Sequence, residues 1–569
     1  MILQSLYEYY QRKAADPESG IAPEGFEWKE IPFVVVIDVQ GKFVTLEDTR
    51  EGDGKKKRAR RFLVPAAEKK SVNIKANLLW DNVEYALGAN PRERDDIAKR
   101  HAAFVTRIDE EIASHPEQQV LLQFLHSEPI VQIEGQLAIA SLWSECLESN
   151  ANVTFRLEGS TCATVCEALA PSIVSQAGKG AALCLVSGTT DTIARLHPSI
   201  KGVRDAQSSG AALVSFNLSP FCSYNKEQNH NAPVGDSATF AYTTALNGLL
   251  GRDSKNKVQV GDATTVFWSD RKTELENTFF SFWSVDKDDP DRGIEAVEAL
   301  LKSVHTGAPI PNADARFFVL GLSPNAARIS VRFWYAGAVS EVSQKLGQHF
   351  RDLELIRPKN DKVRNALFFL LSEIALENKI ENIPPNLAGN VMRAVLTGGP
   401  YPVTLLQQTV RRIRATRQLR PPQVALLKAY LVRRRRFQES PNDKEIEVSL
   451  DTENTNAGYL LGRLFAALEK IQEDAQPGIN STIRDRFYGA ASATPVSVYP
   501  QLLKLKNHHL AKIDNPAFRI THEKRLTEIF GALPSSMPAH LTMDDQARFA
   551  IGYYHQRQAL FTKSERSDS

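Results

Sequence analysis

The chain has 569 residues, of which 42% are hydrophobic and 24% are charged. These fractions are typical of globular domains and exclude a mainly disordered chain, a collagen-like fibre and a small disulfide-stapled domain. Lys and Arg number 69 against 67 Asp and Glu, so any affinity for nucleic acid or membrane must come from local clusters of charge. At about 150 residues per domain, this length predicts about three or four domains.

The N-terminus lacks the pattern of a secretory signal, because no basic stretch precedes an apolar core. No apolar run approaches the roughly 18 residues that a membrane-spanning helix needs. Five cysteines in so long a chain favour a reducing compartment, and the pair Cys162 and Cys166 lacks a second pair at zinc-ligand spacing. We therefore expect a cytoplasmic protein with no membrane partner, no metal and no cofactor.

Helices and strands alternate in the first part of the chain. Apolar residues at helical spacing predict a helix at the N-terminus and helices over 92–125 and 131–146. Short apolar runs bounded by turn residues predict strands. These strands cover 33–48 in two segments joined by a Gly-centred turn, then 153–157, 182–187, 211–217, and a hairpin of 316–321 with 328–335.

From about residue 361 onward the strand pattern gives way to helical spacing. Helices are predicted over 363–378, 386–397, 402–416 and 422–437, then a linker over 438–447, an apolar helical stripe over 460–471, and helices over 480–489, 496–511, 519–532 and 543–561. The sequence thus predicts the α+β class, with a large mixed α/β N-terminal region followed by an all-α C-terminal helical bundle. The predicted domains are 1–345, a helical basic connecting region over 346–447, and 448–569.

Motifs of the common enzyme classes are absent from the sequence. There is no phosphate-binding G-x-x-x-x-G-K-[ST] loop, no G-x-G-x-x-G turn opening a helix after a strand, and no H-E-x-x-H helix. The pair His508 and His509, near Lys504, Lys506 and Lys512, lacks the converging carboxylates that metal-assisted phosphodiester cleavage needs. The sequence therefore predicts a binding protein that is not an enzyme.

A first cluster of positive charge follows glycines at positions 52 and 54. Its basic residues repel one another unless an anion lies nearby, so we expect a mobile loop that contacts phosphate groups. A solvated surface loop is the alternative. The basic residues of this cluster are Lys55, Lys56, Lys57, Arg58, Arg60 and Arg61.

A second cluster covers 411–436 and contains no Asp or Glu. A solvated helix ordinarily mixes charges to gain pairs four residues apart, whereas such pairs within this stretch are repulsive. Arginine predominates, and its planar donor fork fits phosphate, so we expect contacts to a nucleic-acid backbone. An acidic protein partner and a solvated face are the alternatives. The basic residues are Arg411, Arg412, Arg414, Arg417, Arg420, Lys428, Arg433, Arg434, Arg435 and Arg436.

A polar segment over 216–233 follows a predicted strand and is rich in amide side chains. Amides both donate and accept hydrogen bonds, which suits contacts to base edges, whereas the alternative is a turn-rich loop that caps its own backbone. Its candidate residues are Ser223, Tyr224, Lys226, Gln228, Asn229 and Asn231. Three further candidates, Asn73, Lys75 and Asn77, follow the first basic cluster and precede a hydrophobic anchor at Trp80.

Long segments of this sequence resemble the large subunit of the type I-C CRISPR surveillance complex (Cascade), the Csd-type or Cas-eight-c family. Among them are NLLWDNVEYALG, SYNKEQNHNAPV, FFVLGLSPNAARISVRFW and NTNAGYLLGRLFAALEKIQEDA, and the resemblance extends from Met1 to about Phe561. It implies a non-catalytic subunit of a crRNA-guided complex, beside Cas-five-type and Cas-seven-type subunits. Such subunits recognise a protospacer-adjacent motif (PAM) in double-stranded DNA, promote R-loop formation, guide the displaced strand and help recruit a helicase–nuclease.

In view of this resemblance we assign expected roles to the candidate residues. The first basic cluster would contact duplex phosphates near the PAM, and either Asn73, Lys75 and Asn77 or the segment from Ser223 to Asn231 would reach base edges. The second cluster, with Lys504 and Lys506, would hold the displaced strand. In this family the small subunit is also made separately by internal initiation, and Val448 is our candidate start. The alternatives are a metal-dependent nuclease of the same defence locus and a module that mainly holds crRNA.

Overall fold

The structure is a computed structural model that describes residues 2–52, 57–68, 74–173, 181–283, 311–358, 361, 366–438 and 446–561. The chain divides into two compact units. Unit 1 comprises Met1–Ser199 and Val214–Gly248, and unit 2 comprises Ile200–Leu213 and Leu249–Ser569. Strands and helices mix before residue 339 and helices follow it, so the predicted α+β class is confirmed. The finer division at residues 345 and 447 stays a prediction.

Unit 1 combines short strands with short helices. In chain order they are α1 (Ile2–Ala14), β1 (Phe26–Glu30), β2 (Phe33–Ile37), β3 (Phe43–Asp48), β4 (Arg50–Glu51), β5 (Arg58–Ala59), β6 (Arg61–Pro65), β7 (Trp80–Asn82), α2 (Val83–Ala86), α3 (Ile97–Glu111), α4 (Pro116–His126), α5 (Pro129–Glu134), α6 (Ala140–Glu148), β8 (Asn152–Leu157), α7 (Val165–Leu169), β9 (Ala181–Leu183), β10 (Thr190–Thr192) and α8 (Asp236–Leu249).

The central sheet of unit 1 has the strand order β3-β2-β8-β7. Strand β2 pairs antiparallel with β3 and parallel with β8. Every residue of β2 is buried, which fits its unbroken apolar sequence, because a strand covered on both faces needs no polar side chains. Trp80 belongs to the same core, so the predicted hydrophobic anchor is confirmed. Its indole Nε1 donates to the carbonyl of Pro65 at 2.8 Å.

Unit 2 begins with a sheet and continues as helices. Its elements are β11 (Lys257–Val260), β12 (Ala263–Ser269), α9 (Glu274–Trp283), β13 (Arg316–Asn325), β14 (Arg328–Ala338), α10 (Val339–Leu353), α11 (Leu367–Ser372), α12 (Leu387–Thr397), α13 (Val403–Thr416), α14 (Pro421–Gln438), α15 (Ala457–Ala475), α16 (Ile483–Ala491), α17 (Pro495–Ala511), α18 (Pro516–Ala532) and α19 (Met543–Phe561).

The sheet of unit 2 is antiparallel with the order β11-β12-β13-β14, and β13 and β14 form the predicted hairpin. One hydrophobic cluster runs from Val258 in this sheet to Tyr554 in α19. The C-terminal helices, from the apolar stripe over 460–471 onward, therefore do not have a core of their own. They share a core with the sheet and with α10 to α14.

Helices α15 and α19 approach each other unusually closely in unit 2. A Cβ atom added to Gly462 would lie 2.0 Å from the carbonyl oxygen of Phe549, and one added to Gly552 would lie 2.2 Å from that of Tyr459. Only glycine allows two helix backbones to come this near, because any side chain would collide with the facing backbone. These glycines therefore set the distance between α15 and α19.

Several predicted elements differ from the observed ones. The helix over 92–125 is divided into α3 and α4, and the helix over 131–146 into α5 and α6. The strand over 182–187 ends at Leu183, because the Gly188 amide turns back to the carbonyl of Cys184 at 3.0 Å. The segment 211–217 forms only isolated bridges at Ala211 and Ala212, so that strand prediction is wrong. Among the described residues, the helix over 363–378 is reduced to α11. After Ser372 the amides of Ile374 and Ala375 donate to carbonyls only three residues back, and Glu377 then has a left-handed φ of 57°.

Candidate nucleic-acid interface

The first basic cluster lies on a two-stranded ribbon of unit 1 and on the start of β6, which pairs with β1. We call this region the basic hairpin (β4, β5 and Lys57–Arg61). Arg50 pairs with Ala59 and Glu51 with Arg58 across its two strands. At its base the Arg60 amide donates to the carbonyl of Thr49 at 3.2 Å. The expectation of a mobile loop is therefore wrong for the described part, because backbone pairing holds it in a fixed register.

Arg50 ties the basic hairpin to the body of unit 1. Its guanidinium donates to Asp48 at 2.7 and 2.8 Å and to Glu145 in α6 at 2.5 and 2.9 Å. The guanidinium carbon also lies 4.6 Å from the ring centre of Phe33. Hydrogen bonds from Arg50 lower the pKa of Asp48 and of Glu145, so both carboxylates stay charged at neutral pH. Bidentate contacts to two elements fix the root of the hairpin.

Four cations project from the hairpin into solvent: Lys57, Arg58, Arg60 and Arg61 are all exposed. Arg60 lies 5.4 Å from the ring centre of Phe62, which limits the positions of its guanidinium. Lys55 and Lys56 lie outside the described residues. Four positive groups on a paired ribbon can contact several phosphates with little loss of conformational entropy, since the backbone is already ordered.

Of the three candidates that follow the hairpin, Asn73 lies outside the described residues. Lys75 is exposed, with Nζ 3.5 Å from Glu68. Asn77 is buried, and its side-chain Oδ1 accepts from the backbone amide of Glu68 at 2.9 Å. The backbone amide of Asn77 donates to the carboxylate of Asp81. We therefore withdraw Asn77 as a base-reading residue, because its side-chain oxygen is used inside the fold.

Two asparagine side chains of the amide loop, residues 217–231, bond to backbone groups of the fold. Asn231 donates from Nδ2 to the carbonyls of Lys226 and Gln228, both at 2.9 Å, and accepts from the Ser223 amide at 2.9 Å. Asn229 is buried and donates to the carbonyl of Ala194 at 2.8 Å. For Asn231 the self-capping alternative is therefore the better interpretation, whereas Asn229 holds the loop to Ala194 and Val234 outside it. We withdraw both as base readers.

Other side chains of the amide loop reach solvent. Ser223, Tyr224 and Lys226 are exposed, and Gln228 is half-buried. These four keep the hydrogen-bonding or aromatic groups that contacts to bases require. With Lys75 they are the base-contact candidates that the geometry leaves open.

In unit 2 the second basic cluster divides between an exposed part and a buried part. Arg411 and Arg414 lie three residues apart on the exposed face of α13, and Arg417 follows the helix end with a left-handed φ of 58°. Within the described part of the chain these three make no ion pair. Arg412 is half-buried and donates to Asn378 at 3.0 Å. The exposed face of α13 thus presents positive charge.

Arginines of α14 have acidic partners from distant parts of the chain. Arg433 is 0% exposed and bonds Asp352 of α10 at 2.9 Å. Arg436 bonds the same carboxylate at 2.7 Å, and Arg434 bonds Asp544 of α19 at 2.7 Å. The interpretation of 411–436 as an unpaired basic stretch is therefore wrong for this helix. We withdraw Arg433 as a DNA contact, because its guanidinium is enclosed in the core.

Asp352 is the centre of this buried network. Besides the two arginines it accepts from Gln348 at 2.9 Å. Burial alone would raise the pKa of Asp352, but hydrogen bonds from Arg436 and Gln348 and the nearby charge of Arg433 keep it lowered. Arg433 also donates to the carbonyls of Ala394 and Gly399 at 3.0 and 2.9 Å. The network links α10, α12 and α14.

The remaining candidate lysines lie on α17. Lys504 is exposed and Lys506 is half-buried, and Lys512 beyond the helix end is exposed. His508 is exposed whereas His509 is buried, so the two neighbouring imidazoles point in different directions. Arg435 is half-buried. The lysines of α17 add a second positive surface to unit 2.

The model of the family described as CRISPR-associated protein (Cas_Csd1) matches residues 6–561, which is nearly the whole chain. The chain belongs to this family. The resemblance to the type I-C Cascade large subunit is thereby confirmed, and the chain is a component of a CRISPR Cascade complex. No curated protein matches the chain.

In this Cas_Csd1 chain, no described helix has the length and apolar character to cross a bilayer. The described residues also contain no group of three or more His, Cys, Asp or Glu side chains placed to hold a metal ion.

Arg50 and Asp352 position basic side chains of this family member, and neither was predicted from the sequence. Asp48 and Arg50 are two residues apart at adjoining strand ends, so their side chains are expected on the same face. This spacing could have predicted their ion pair. Asp352 had no such signal, because its partners lie far along the chain in α14.

Two buried histidines of unit 2 make the stability of this Cas_Csd1 chain depend on pH. Each bonds through Nδ1 to a tyrosine hydroxyl, His349 to Tyr401 and His555 to Tyr459. Burial, with the charge of Arg433, lowers the pKa of His349 to about 3. Burial, with the charge of Lys428, lowers the pKa of His555 to about 4.

A histidine in the unfolded chain has a pKa of about 6.5 and takes up a proton below that pH, whereas these two stay neutral in the folded chain. We therefore expect the free energy of unfolding to fall as pH decreases from about 6.5, by about 2 kcal/mol per histidine at pH 5. Urea unfolding at pH 5 and pH 7 measures this. Changing both to Gln should reduce the pH dependence, and the exposed control His508→Gln should leave it unchanged. The same pH dependence of the unfolding free energy in the unchanged chain, the double variant and His508→Gln would contradict the assignment.

Proposed function

We propose that the chain is the non-catalytic large subunit of a crRNA-guided type I-C surveillance complex. In this role it recognises the PAM in double-stranded DNA, promotes duplex opening and R-loop formation, and stabilises the displaced strand. It works beside Cas-five-type and Cas-seven-type subunits and a separately translated small subunit, for which Val448 stays our candidate start. It also helps to recruit the helicase–nuclease. Family membership supports the assembly, and the positive surfaces of the two units support the contacts to DNA.

The observation that carries the proposal is the anchored basic hairpin. Its four exposed cations stand on a ribbon whose root is fixed by Arg50, so several phosphates can be contacted together. Each charge-assisted contact contributes about 1.5–3 kcal/mol. Such contacts carry no sequence information, since phosphates are identical along DNA. Sequence recognition would come from the exposed candidates Lys75, Ser223, Tyr224 and Lys226 and from the half-buried Gln228.

In unit 2 we assign the displaced strand to the exposed cations. These are Arg411, Arg414 and Arg417 at α13, with Lys504 and Lys506 of α17 as a further contact. Exchange of a DNA duplex for an RNA–DNA hybrid is close to balanced in free energy, so a few phosphate contacts to the displaced strand can favour the open state. Arg434 and Arg436 are partly exposed but already paired with Asp544 and Asp352. We therefore assign them at most a peripheral contact to the displaced strand.

Neutralising the hairpin tests the proposal. In the full chain, Lys57→Gln with Arg58→Gln and Arg61→Gln should weaken binding to duplex DNA. The slope of log affinity against log salt should flatten by about 0.9 for each phosphate contact that is lost. Fluorescence anisotropy with a labelled duplex at several salt concentrations measures both quantities.

The matched control neutralises three exposed lysines outside the proposed surfaces, Lys42, Lys99 and Lys272. This control removes the same number of charges and should change the salt slope little. An unchanged slope in the hairpin variant would reject the phosphate contacts.

The same preparation separates the two alternatives. Cleavage of labelled DNA that needs Mg²⁺ and stops on chelation would favour a metal-dependent nuclease. Preference for crRNA over duplex DNA at equal salt would favour a crRNA-binding module. The proposal expects neither result.

A further inference from the structure

The tip of the amide loop is a tight β-turn with an unusual residue in it. The Lys226 amide donates to the carbonyl of Ser223 at 2.9 Å, which closes a four-residue turn. Its two central residues, Tyr224 and Asn225, have φ values of 51° and 56°. Two successive positive φ values with this hydrogen bond are the signature of a type I′ turn.

Tyrosine is poorly suited to this position. The first central residue of such a turn is ordinarily Asn, Asp or Gly, because a Cβ atom makes the left-handed region unfavourable. Packing gives no compensation, since the side chain of Tyr224 is 96% exposed. Neither backbone preference nor burial therefore accounts for an aromatic ring here, and such a conflict points to a functional constraint.

The loop behind the ring is held firmly. The side chain of Asn231 joins Ser223, Lys226 and Gln228, which bracket the turn on both sides. Asn229 then fixes the loop to the carbonyls of Ala194 and Val234. These bonds hold the turn in one conformation, so the ring of Tyr224 is presented to solvent on a preorganised support.

We propose that Tyr224 binds an unpaired nucleobase by stacking its ring on the base, while Lys226 contacts the adjacent phosphate. This inference rests on the proposed function and specifies it: the loop binds an opened strand by its base faces. An exposed aromatic ring beside a cation is the combination that single-stranded nucleic acids bind, because every base has a π-face and a neighbouring phosphate. The residues beside Tyr224 in the turn, Ser223 and Asn225, are polar and exposed, which does not suit a dry protein interface.

The test measures binding of the full chain to a labelled oligo-dT strand and to a labelled duplex. Tyr224→Ala should weaken oligo-dT binding about 5- to 100-fold, whereas Tyr224→Phe, which keeps the aromatic face, should stay within about twofold. Binding to the duplex should change less than binding to oligo-dT. In Tyr224→Trp, the indole emission should be quenched when oligo-dT is added.

A stability measurement distinguishes stacking from a role in folding. Tyr224→Asn places a residue that tolerates positive φ in the turn, so the thermal midpoint should be kept or raised while oligo-dT affinity falls. A variant that loses stability and affinity together would overturn the inference. So would a Tyr224→Ala variant that keeps oligo-dT affinity but no longer associates with the other subunits, since the ring would then be a protein contact.

The hairpin variant shows which proposal fails. If neutralising the hairpin weakens DNA binding and Tyr224→Ala changes nothing, stacking is wrong and the proposed function stands. If neither change alters binding to any DNA, both proposals are wrong.

Discussion

Replacing Gly462 by alanine is expected to destabilise unit 2 by at least about 3 kcal/mol, near the upper end for overpacking of a core. The added Cβ would lie 2.0 Å from the carbonyl oxygen of Phe549 and 2.8 Å from the amide nitrogen of Tyr553. Both are backbone atoms of α19, so no side-chain rotation can relieve the contact. The helices must separate, and aromatic packing between Phe465 and Phe549 would be lost with them. Thermal unfolding of the full chain measures the effect.

Gly489→Ala is the matched control for this substitution. Gly489 lies inside α16, and a Cβ added there meets nothing within 4 Å. Alanine at such a site should leave stability unchanged or raise it by up to about 1 kcal/mol, because it restricts the unfolded chain without a clash. Equal midpoints for the two variants would show that α15 and α19 are not in close contact.

Asp352→Ala is the second substitution with a large expected effect, a loss of about 3–5 kcal/mol. The carboxylate is 2% exposed, and Arg433 beside it is 0% exposed. Removing Asp352 leaves the buried guanidinium of Arg433 without a counter-charge. Urea unfolding of the full chain, followed by tryptophan fluorescence, measures the loss.

Two controls locate the origin of that loss. Asp262 and Arg332 form an ion pair of the same 2.9 Å length, but their side chains are 45% and 52% exposed. Asp262→Ala should therefore cost less than about 1 kcal/mol. The double change Asp352→Leu with Arg433→Met removes both charges and should recover most of the stability. A double variant as unstable as Asp352→Ala would show that lost packing is responsible instead of the unpaired charge.

Regular helices and strands followed from the sequence where apolar periodicity was strong. The helix over 543–561 was predicted at its observed bounds, and those over 386–397 and 402–416 were within one residue at each end. Segments with short apolar runs were less predictable, as 211–217 illustrates. An apolar run of that length satisfies a buried strand and a buried irregular segment equally well, and only its neighbours decide between them.

The candidate site was less predictable than the fold, since a side chain's role depends on partners from other segments. A charge rule that considers pairs within one helix could not find Asp352 for Arg433 or Asp544 for Arg434. The side-chain amide of Asn231 had two local interpretations, and only the folded geometry favoured self-capping. That of Asn229 bonds the carbonyl of Ala194, which is far away in the sequence. Exposure could not be predicted for Tyr224, because aromatic residues are ordinarily buried.

The glycine contacts between α15 and α19 also bear on how the protein is made. Helices α16, α17 and α18 all lie between the two partners in the chain, and ribosomes synthesise proteins from the N-terminus. The surface of α15 that receives α19 therefore stays uncovered while those three helices are being produced. During that interval the growing polypeptide exposes aromatic and aliphatic groups that chaperones bind. A transcript cut before the codon for Met543 would yield a product that lacks α19, and this surface of α15 would then stay uncovered.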